Sequence, residues 1–341
     1  MIKKIIRTVY SFGSPCDTIY GKLVLKEDGT IYGYSHPNET FWRLENDELL
    51  LISYDGNVTS RYKSDGMNNW IGHLEGKKWP MFLHQLIVLD PVVQSTLPNV
   101  FVTSILKSGT YFIESALENI GIIPTRIHIP ADGGLFDYRG MSNNQIHYDS
   151  ESVSLSCPTD MITCLLNGEV LIGHNQNINT INNIRQQGVC VISVVRNLRD
   201  VIVSLFKFRY SKVKPINLLD RYWREMPLEK RLESFLIFNE GIEFPHIRNI
   251  AHMILSDENA ILLRYEDMIE GRISQEATNQ LDTFYPDFSQ KLSQALISVK
   301  DQETPTYSGK RSDWKELWND DVERYFLESG MYELNQRLGY E

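Results

Sequence analysis

The chain of 341 residues is 42% hydrophobic and 23% charged, a composition typical of a globular protein with a sizeable core. Its formal net charge of −10 argues against a nucleic-acid-binding protein, because such proteins carry a basic surface. No apolar run reaches the roughly 18 residues that a membrane span needs, and the N-terminus lacks the apolar region of a signal peptide. The four cysteines have no zinc-ligand spacing. We therefore expect a cytoplasmic protein with reduced cysteines, no metal site and no membrane partner.

Residues 1–92 have the pattern of an antiparallel β domain. Three Asp-Gly dipeptides, typical of hairpin turns, begin at Asp28, Asp55 and Asp65. Short runs rich in β-branched and aromatic residues alternate with them, at 19–25, 30–34, 41–44, 49–53 and 58–62. This spacing predicts a small sheet or sandwich.

The same domain contains aromatic and polar side chains suited to a polar ligand. Residues 34–42 combine Tyr, His, Asn, Glu and Trp, and Trp42, Trp70 and Trp79 could stack on a sugar ring. The alternative, which we favour, is that the aromatic residues fill a small β core.

From residue 97 onward, strands alternate with helices, which predicts an α/β domain over residues 97–341 with a parallel sheet flanked by helices. Four buried strands are predicted, at 100–102, 169–172, 189–195 and 260–263. Residues 124–165 are irregular and polar, and we interpret them as a functional lid or an ordered insertion.

The first of these strands leads into a polar turn and an amphipathic helix that ends at Gly121. The turn amides, the helix N-terminus and Lys107 together form an anion-binding cradle. The stretch is not the loop of nucleoside-triphosphate-binding proteins, because Lys107 precedes Gly109 and no glycine lies five residues upstream.

Polar residues also follow the other three strands, where open α/β sheets bind ligands. His174 follows the second strand, Arg196 the third and Tyr265 the fourth. Arginine suits a phosphate because its planar group donates two parallel hydrogen bonds. Ser204 lies eight residues after Arg196, so two helical turns bring it to the same side.

These stretches resemble the PAPS-dependent sulfotransferases, and the resemblance covers about residues 97–330 in the family's order. The Lys107-Ser108-Gly109-Thr110 run, followed by Tyr111 and Phe112, resembles the family's 5′-phosphosulfate loop. The 196–204 run resembles its 3′-phosphate element, with Leu198 in place of the usual Pro. Residues 264–267 resemble the element whose Tyr contacts adenine, and Phe112 stands where the family has a stacking Trp.

A fourth resemblance lies near the C-terminus, at residues 309–315. Gly309, Lys310 and Arg311 correspond to the family's C-terminal phosphate-binding run. The basic pair that normally precedes the glycine is replaced by Tyr307 and Ser308, so Lys310 and Arg311 would supply the missing charge.

The resemblance implies a bacterial sulfotransferase with an extra N-terminal β domain, PAPS as sulfuryl donor, PAP as product and no metal. By that reading Lys107 neutralises the leaving phosphate, and Arg196 and Ser204 bind the 3′-phosphate. His174, 22 residues before Arg196 (196 − 174), is the general base. Ile172 occupies the position where cytosolic members often carry a lysine that assists the base. Residues 124–165 and parts of 207–256 would form the acceptor pocket.

The acceptor is expected to be the hydroxyl or amine of a small metabolite or carbohydrate, as in natural-product tailoring. Two other functional classes stay open. One is a nucleotide-dependent kinase on a similar fold, disfavoured by the missing lysine of the triphosphate-binding loop. The other is a non-catalytic protein in which the β domain captures a glycan and the α/β domain only holds a nucleotide. The sequence leaves homo-oligomerisation undecided.

Overall fold

The computed structural model describes residues 2–15, 18–90, 95–142, 145–146, 150–302 and 314–341. The chain divides into two compact units, Met1–Ser95 with Leu155–Asn167, and Thr96–Ser154 with Gly168–Glu341. Residues 155–167 therefore belong to the first unit, although we expected them in the second domain. Within the described ranges, no helix is long and apolar enough to cross a membrane.

The first unit is built on one antiparallel sheet of eight strands in the order β3-β2-β1-β8-β7-β6-β5-β4. Five of these strands coincide with predicted runs, whereas β1, β7 and β8 were not predicted. Two short helices, Ile2–Ile5 and Thr159–Thr163, accompany the sheet. The strands are β1 Thr8–Gly13, β2 Ile19–Leu25, β3 Ile31–Tyr32, β4 Phe41–Glu45, β5 Glu48–Ile52, β6 Val58–Ser64, β7 Trp70–Leu74 and β8 Pro80–Val88.

The two edges of this sheet meet, so the first unit is a barrel and not an open sheet or a sandwich. An antiparallel bridge joins Thr30 to Phe41, and the Trp42 backbone N–H donates to the Gly29 carbonyl at 2.8 Å. An eight-stranded barrel is just wide enough for side chains to fill its interior. Alternate residues do so here, among them Tyr10, Phe12, Leu23, Leu49, Leu51, Tyr62 and Trp70.

The second unit contains a seven-stranded sheet in the order β12-β11-β10-β13-β9-β14-β15. The five strands from β10 to β15 in this order run parallel, and β11 pairs antiparallel with β10. The strands are β9 Val100–Ser104, β10 Ile123–Ile129, β11 Leu135–Asp137, β12 Ser154–Leu155, β13 Glu169–Gly173, β14 Cys190–Val195 and β15 Ile261–Arg264.

Helices surround this sheet. The core contains apolar side chains of β9, β13, β14 and β15 together with Ile113, Ala116 and Leu117 of the first helix. The helices are Thr110–Ile120, Ile178–Gln186, Leu198–Lys212, Leu218–Glu225, Leu228–Asn239, Phe244–Ser256, Tyr265–Met268, Gln275–Leu281, Phe288–Ser298, Asp320–Glu328 and Met331–Arg337, with 3₁₀ turns at Ser150–Val153 and Trp314–Glu316. The predicted parallel sheet with flanking helices, preceded by an antiparallel β unit, is confirmed.

Residues 124–165, which we expected to be irregular, contain regular elements and are divided between the two units. Residues 124–165 are not a single irregular lid, because they include most of β10 and all of β11. Strand β10 is irregular at Arg126, which has a left-handed backbone (φ 55°), and its pairing with β13 shifts register between Pro124 and His128. The sequence of β10 does alternate, with Ile123, Thr125, Ile127 and Ile129, but Pro124 inside the run argues against a strand.

Candidate active site

The loop between β9 and the Thr110–Ile120 helix has an unusual backbone that forms one wall of a pocket. Both Lys107 (φ 65°) and Gly109 (φ 96°) adopt the left-handed conformation. The Ser108 N–H donates to the Ile105 carbonyl at 3.1 Å. A Cβ added to Gly109 would lie 2.6 Å from Cδ2 of Tyr265. Glycine is therefore required at position 109 both by the backbone and by the neighbouring ring.

The Lys107 ammonium is buried within this wall. Its Nζ has no hydrogen-bond partner among the described residues and lies 4.1 Å from the ring centroid of Phe208. Burial and the nearby Arg196 lower the pKa of Lys107 to about 7, although Glu243 opposes the shift. An unpaired buried cation is unfavourable, so an anion bound beside Lys107 would stabilise its charge.

Arg196 directly follows β14 and lies against the same loop. Its Nη1 donates to the Lys107 carbonyl at 3.1 Å, and its Cζ lies 4.3 Å from the ring centroid of Tyr265. Its Nη2 is 4.0 Å from a carboxylate oxygen of Asp200. The Nε atom is buried and has no partner in the described structure. Arg196 is thus held in place while part of its donor capacity remains unused.

The first backbone N–H groups of the helix that follows Arg196 are already paired. Glu266 accepts from the Asn197 N–H at 3.2 Å, Asn335 from the Leu198 N–H at 2.8 Å, and the Asn197 side chain from the Arg199 N–H at 3.0 Å. An anion beside Arg196 would therefore be bound by side chains and not by this helix N-terminus.

The second arginine of the 196–200 run has a structural role. Arg199 is buried and donates to the Glu323 carboxylate at 2.7 and 3.2 Å. Its guanidinium also lies within 6 Å of four aromatic ring centroids, those of Trp314, Trp318, Phe326 and Tyr332. These contacts leave Arg196 as the arginine of this run that faces the pocket.

His174 follows β13, and its tautomer is fixed by the backbone. Its Nδ1 lies 2.8 Å from the Ser104 carbonyl oxygen. A carbonyl can only accept, so Nδ1 carries the proton and Nε2 presents a lone pair. Burial, together with the Lys107 charge, lowers the pKa of His174 to about 4 against the opposing Ser104 hydrogen bond. The imidazole is therefore neutral at pH 7, as a proton acceptor must be.

A second histidine, which the sequence analysis did not identify, lies beside the first. His128 on β10 has its ring centroid 5.0 Å from that of His174 and stacks between Tyr111 and Tyr138, each at 5.9 Å. Burial and the neighbouring His174 hold the pKa of His128 well below its usual range. The sequence signal for His128 is its position between the apolar residues Ile127 and Ile129. This signal points to a site residue only after β10 has been recognised as a strand.

Most of the residues singled out in the sequence line one pocket of the second unit. Its lining consists of Lys107, Gly109, Thr110, Tyr111, Phe112, His174, Arg196, Ser204 and Tyr265, together with Ile269 and Lys300. Lys300 was not predicted, because an exposed lysine after a helix gives no distinctive pattern.

Four predicted residues are not part of this lining. The Ser108 hydroxyl is buried without a partner in the described structure, and Ser108 is not among the pocket residues. Gly309, Lys310 and Arg311 lie outside the described residues. Phe112 lines the pocket but also belongs to the apolar core, so burial by itself explains its residue type.

The second unit is thus an α/β unit with a cationic pocket at the ends of its parallel strands, a type of site that binds anionic groups. Residues 170–275 match a family model described as the sulfotransferase domain. This match confirms the resemblance to the sulfotransferase family over the residues that it covers, which include His174, Arg196, Ser204 and Tyr265.

Among solved structures, the chain is similar to mouse sulfotransferase SULT7A1 complexed with PAP, with 16% identity and a TM-score of 0.41 over 74% of this chain and 91% of that one. A comparison with the curated proteins gives no match. In the part of the chain that the structure describes, no three His, Cys, Asp or Glu side chains gather as they would around a metal ion.

Proposed function

We propose that the second unit is a PAPS-dependent sulfotransferase that acts on a hydroxyl or amine of a small-molecule acceptor in the cytoplasm. One observation carries the proposal: Lys107 and Arg196, each with a buried nitrogen that lacks a partner among the described residues, line the same pocket as the neutral His174. Two cations in one pocket suit a ligand with two anionic ends. The family-model match over residues 170–275 supports the same reading.

The residues present fit such a donor. The buried Lys107 ammonium suits the 5′-phosphosulfate end, where its charge would stabilise the leaving phosphate. Arg196, with the Ser204 hydroxyl on the helix that directly follows it, suits the 3′-phosphate that distinguishes PAPS from other adenine nucleotides. Tyr265 and Phe112 offer aromatic faces for the adenine. When bound, PAPS supplies the sulfuryl group, and PAP is the product that leaves.

His174 would accept the proton of the acceptor. The Ser104 carbonyl fixes the Nδ1–H tautomer, so the Nε2 lone pair is the atom available for this transfer. As the acceptor oxygen or nitrogen forms its bond to sulfur, the bond from sulfur to the 5′-phosphate oxygen breaks. During this attack the acceptor proton would move to Nε2 of His174. Positioning and electrostatic stabilisation would provide most of the rate enhancement, as in phosphoryl transfer.

The proposal is tested with the purified full chain. Calorimetric titration should show binding of PAP and weaker binding of ATP, and labelled PAPS should transfer its sulfur to members of a panel of phenols, alcohols, amines and sugars. Tighter binding of ATP than of PAP would favour the kinase alternative. Binding of PAP without transfer to any acceptor would identify a nucleotide-binding protein without catalytic activity.

A further inference from the structure

The first unit contains a larger pocket that plays no part in the sulfotransferase proposal. It has a volume of about 1140 Å³ and lies at one end of the barrel, where residues 33–40 connect β3 to β4 and residues 53–57 connect β5 to β6. The barrel interior is filled with side chains, so a ligand would bind across this end and not inside the barrel. The ends of small β-barrels are common positions for small-molecule sites.

The β3–β4 and β5–β6 connections, which line this pocket together with Pro158, Asp160 and Met161, are fixed to each other by hydrogen bonds. The Tyr54 N–H donates to the Pro37 carbonyl at 2.9 Å, and the Thr40 N–H donates to the Ile52 carbonyl at 2.9 Å. The Thr59 hydroxyl donates to the Asn38 carbonyl at 2.7 Å. The pocket is therefore formed before a ligand arrives, which reduces the entropy lost on binding.

Aromatic rings provide one part of the pocket surface. The Tyr34 ring packs edge-on against Phe12, with a centroid distance of 5.1 Å. A Cβ added to Gly21 would lie 2.8 Å from the Tyr34 ring, so a glycine at position 21 gives this ring its space. Tyr54 lines the same pocket and is 76% exposed. An exposed aromatic face beside polar groups suits a ligand with one apolar face.

The polar groups of the pocket are amides, hydroxyls, carboxyls and the imidazole of His36. The amides belong to Asn38 and Asn57. The buried Glu39 carboxyl lies 2.8 Å from Nδ1 of His36, and burial raises the pKa of Glu39. Asp160 accepts a hydrogen bond from the Tyr32 hydroxyl at 2.8 Å. Within the described residues, no Lys or Arg lines this pocket. A phosphate, sulfate or carboxylate ligand would therefore find no opposite charge.

We infer that this pocket is a carbohydrate-binding site for an uncharged saccharide, with Tyr34 and Tyr54 against the sugar ring and Asn38, Asn57 and Glu39 available to its hydroxyls. A sugar ring combines an apolar C–H face with hydroxyls that both donate and accept, which is the chemistry of this lining. The inference stands whether or not the second unit transfers sulfuryl groups.

The experiment uses the purified full chain and calorimetric titration with neutral oligosaccharides of glucose, galactose, mannose and N-acetylglucosamine. At least one should bind. Tyr54→Ala and Asn38→Ala should each weaken that binding by about tenfold, which corresponds to the loss of one ring contact or one hydrogen bond. Met67→Ala is the matched control, because Met67 is 70% exposed, a value close to that of Tyr54, and lies in the β6–β7 connection outside the pocket lining.

Three outcomes would overturn the inference: no binding of any neutral oligosaccharide, tighter binding of a heparin fragment or spermine, or equal weakening by Met67→Ala and Tyr54→Ala. Thermal unfolding of each variant shows whether the fold is intact. PAP titration of the same samples reports on the second unit, so failure of saccharide binding and failure of the sulfotransferase proposal give different results.

Discussion

The two pockets of this protein have opposite charge. The pocket of the second unit is lined by Lys107, Arg196 and Lys300, whereas the pocket at the barrel end is lined by Glu39, Asp55 and Asp160 with no described Lys or Arg. Both belong to a chain with a net charge of −10. Net charge therefore describes the surface as a whole, while ligand choice depends on a few groups in each cavity.

The pockets also differ in how their charged groups are satisfied. In the barrel pocket, Glu39 has His36 and Asp160 has Tyr32 as partners. In the other pocket, Lys107 Nζ and Arg196 Nε are buried without partners in the described structure. An unpaired buried cation lowers the stability of the fold. Binding of an anion should therefore raise the stability of the second unit much more than binding of a saccharide raises the stability of the first.

The largest effect is expected from removing the proposed base. His174→Ala should lower turnover by about 10²- to 10⁴-fold, the usual contribution of general acid–base catalysis, while the Kd for PAP stays within about twofold. Sulfur transfer and PAP titration measure the two quantities. Unchanged turnover would remove His174 from the mechanism.

The second-largest effect is expected from removing the side chain that we propose binds the 3′-phosphate. Arg196→Ala should weaken PAP binding by about 100-fold, because a charge-assisted contact contributes roughly 2–3 kcal/mol, and should weaken adenosine 5′-phosphosulfate binding far less. Arg221→Ala, at an exposed arginine of the same unit, is the control. Equal losses for the two nucleotides would reject the 3′-phosphate role.

Binding of PAP should depend on pH through Lys107. Its pKa of about 7 in the free protein should rise when an anion binds beside it. The affinity for PAP should therefore be highest below about pH 7. Above that pH it should fall by up to tenfold per pH unit, until the pH reaches the pKa of Lys107 in the complex. Calorimetry in buffers of different ionisation enthalpy should detect proton uptake above pH 7. A Lys107→Met variant that kept the same slope would contradict this assignment.

Alanine substitutions at two glycines distinguish the cost of backbone strain from the cost of a side chain that crowds the Tyr265 ring. Gly109 and Gly133 have nearly the same φ, 96° and 94°, but a Cβ at Gly133 meets nothing within 4 Å. Both alanine variants should be destabilised by roughly 1 kcal/mol or more. Chemical denaturation should show a larger loss for Gly109→Ala, and only this variant should weaken PAP binding. Equal losses would mean that the ring contact has no energetic consequence.

A change in ionic strength should have the smallest effect on binding. It tests directly whether the two pockets differ in charge. Raising salt from about 50 to 500 mM should weaken PAP binding severalfold, because salt screens the attraction between the ligand and the cationic pocket. Saccharide binding to the barrel pocket should change by less than about twofold. A similar salt dependence at both sites would mean that the two pockets do not differ in the way their linings indicate.

Much of the second unit could be predicted from the sequence because its signals are local. Strands β9, β13, β14 and β15 are nearly continuous apolar runs. The Thr110–Ile120 helix ends at Gly121, which has a left-handed backbone (φ 104°). Residues that follow such strands gather at one edge because parallel strands end there, which is why Lys107, His174, Arg196 and Tyr265 could be grouped in advance. Their individual roles remain predictions.

Other features depended on residues that are distant in sequence. The barrel closes through a bridge between Thr30 and Phe41, which no periodicity signals. Strand β10 was missed because Pro124 inside the run argues against a strand, and with it His128 was missed. Glu266 and Asn335 occupy the amides that follow Arg196, although the latter lies more than a hundred residues away.

The sequence by itself determined which polar residues follow which strands, since strand propensity and turn chemistry act over a few neighbouring residues. Only the tertiary structure decided which of those groups are buried, paired or left without a partner. Solvent exposure depends on every element that packs around a side chain. For that reason the lowered pKa of Lys107 and the fixed tautomer of His174 became visible only in the folded chain.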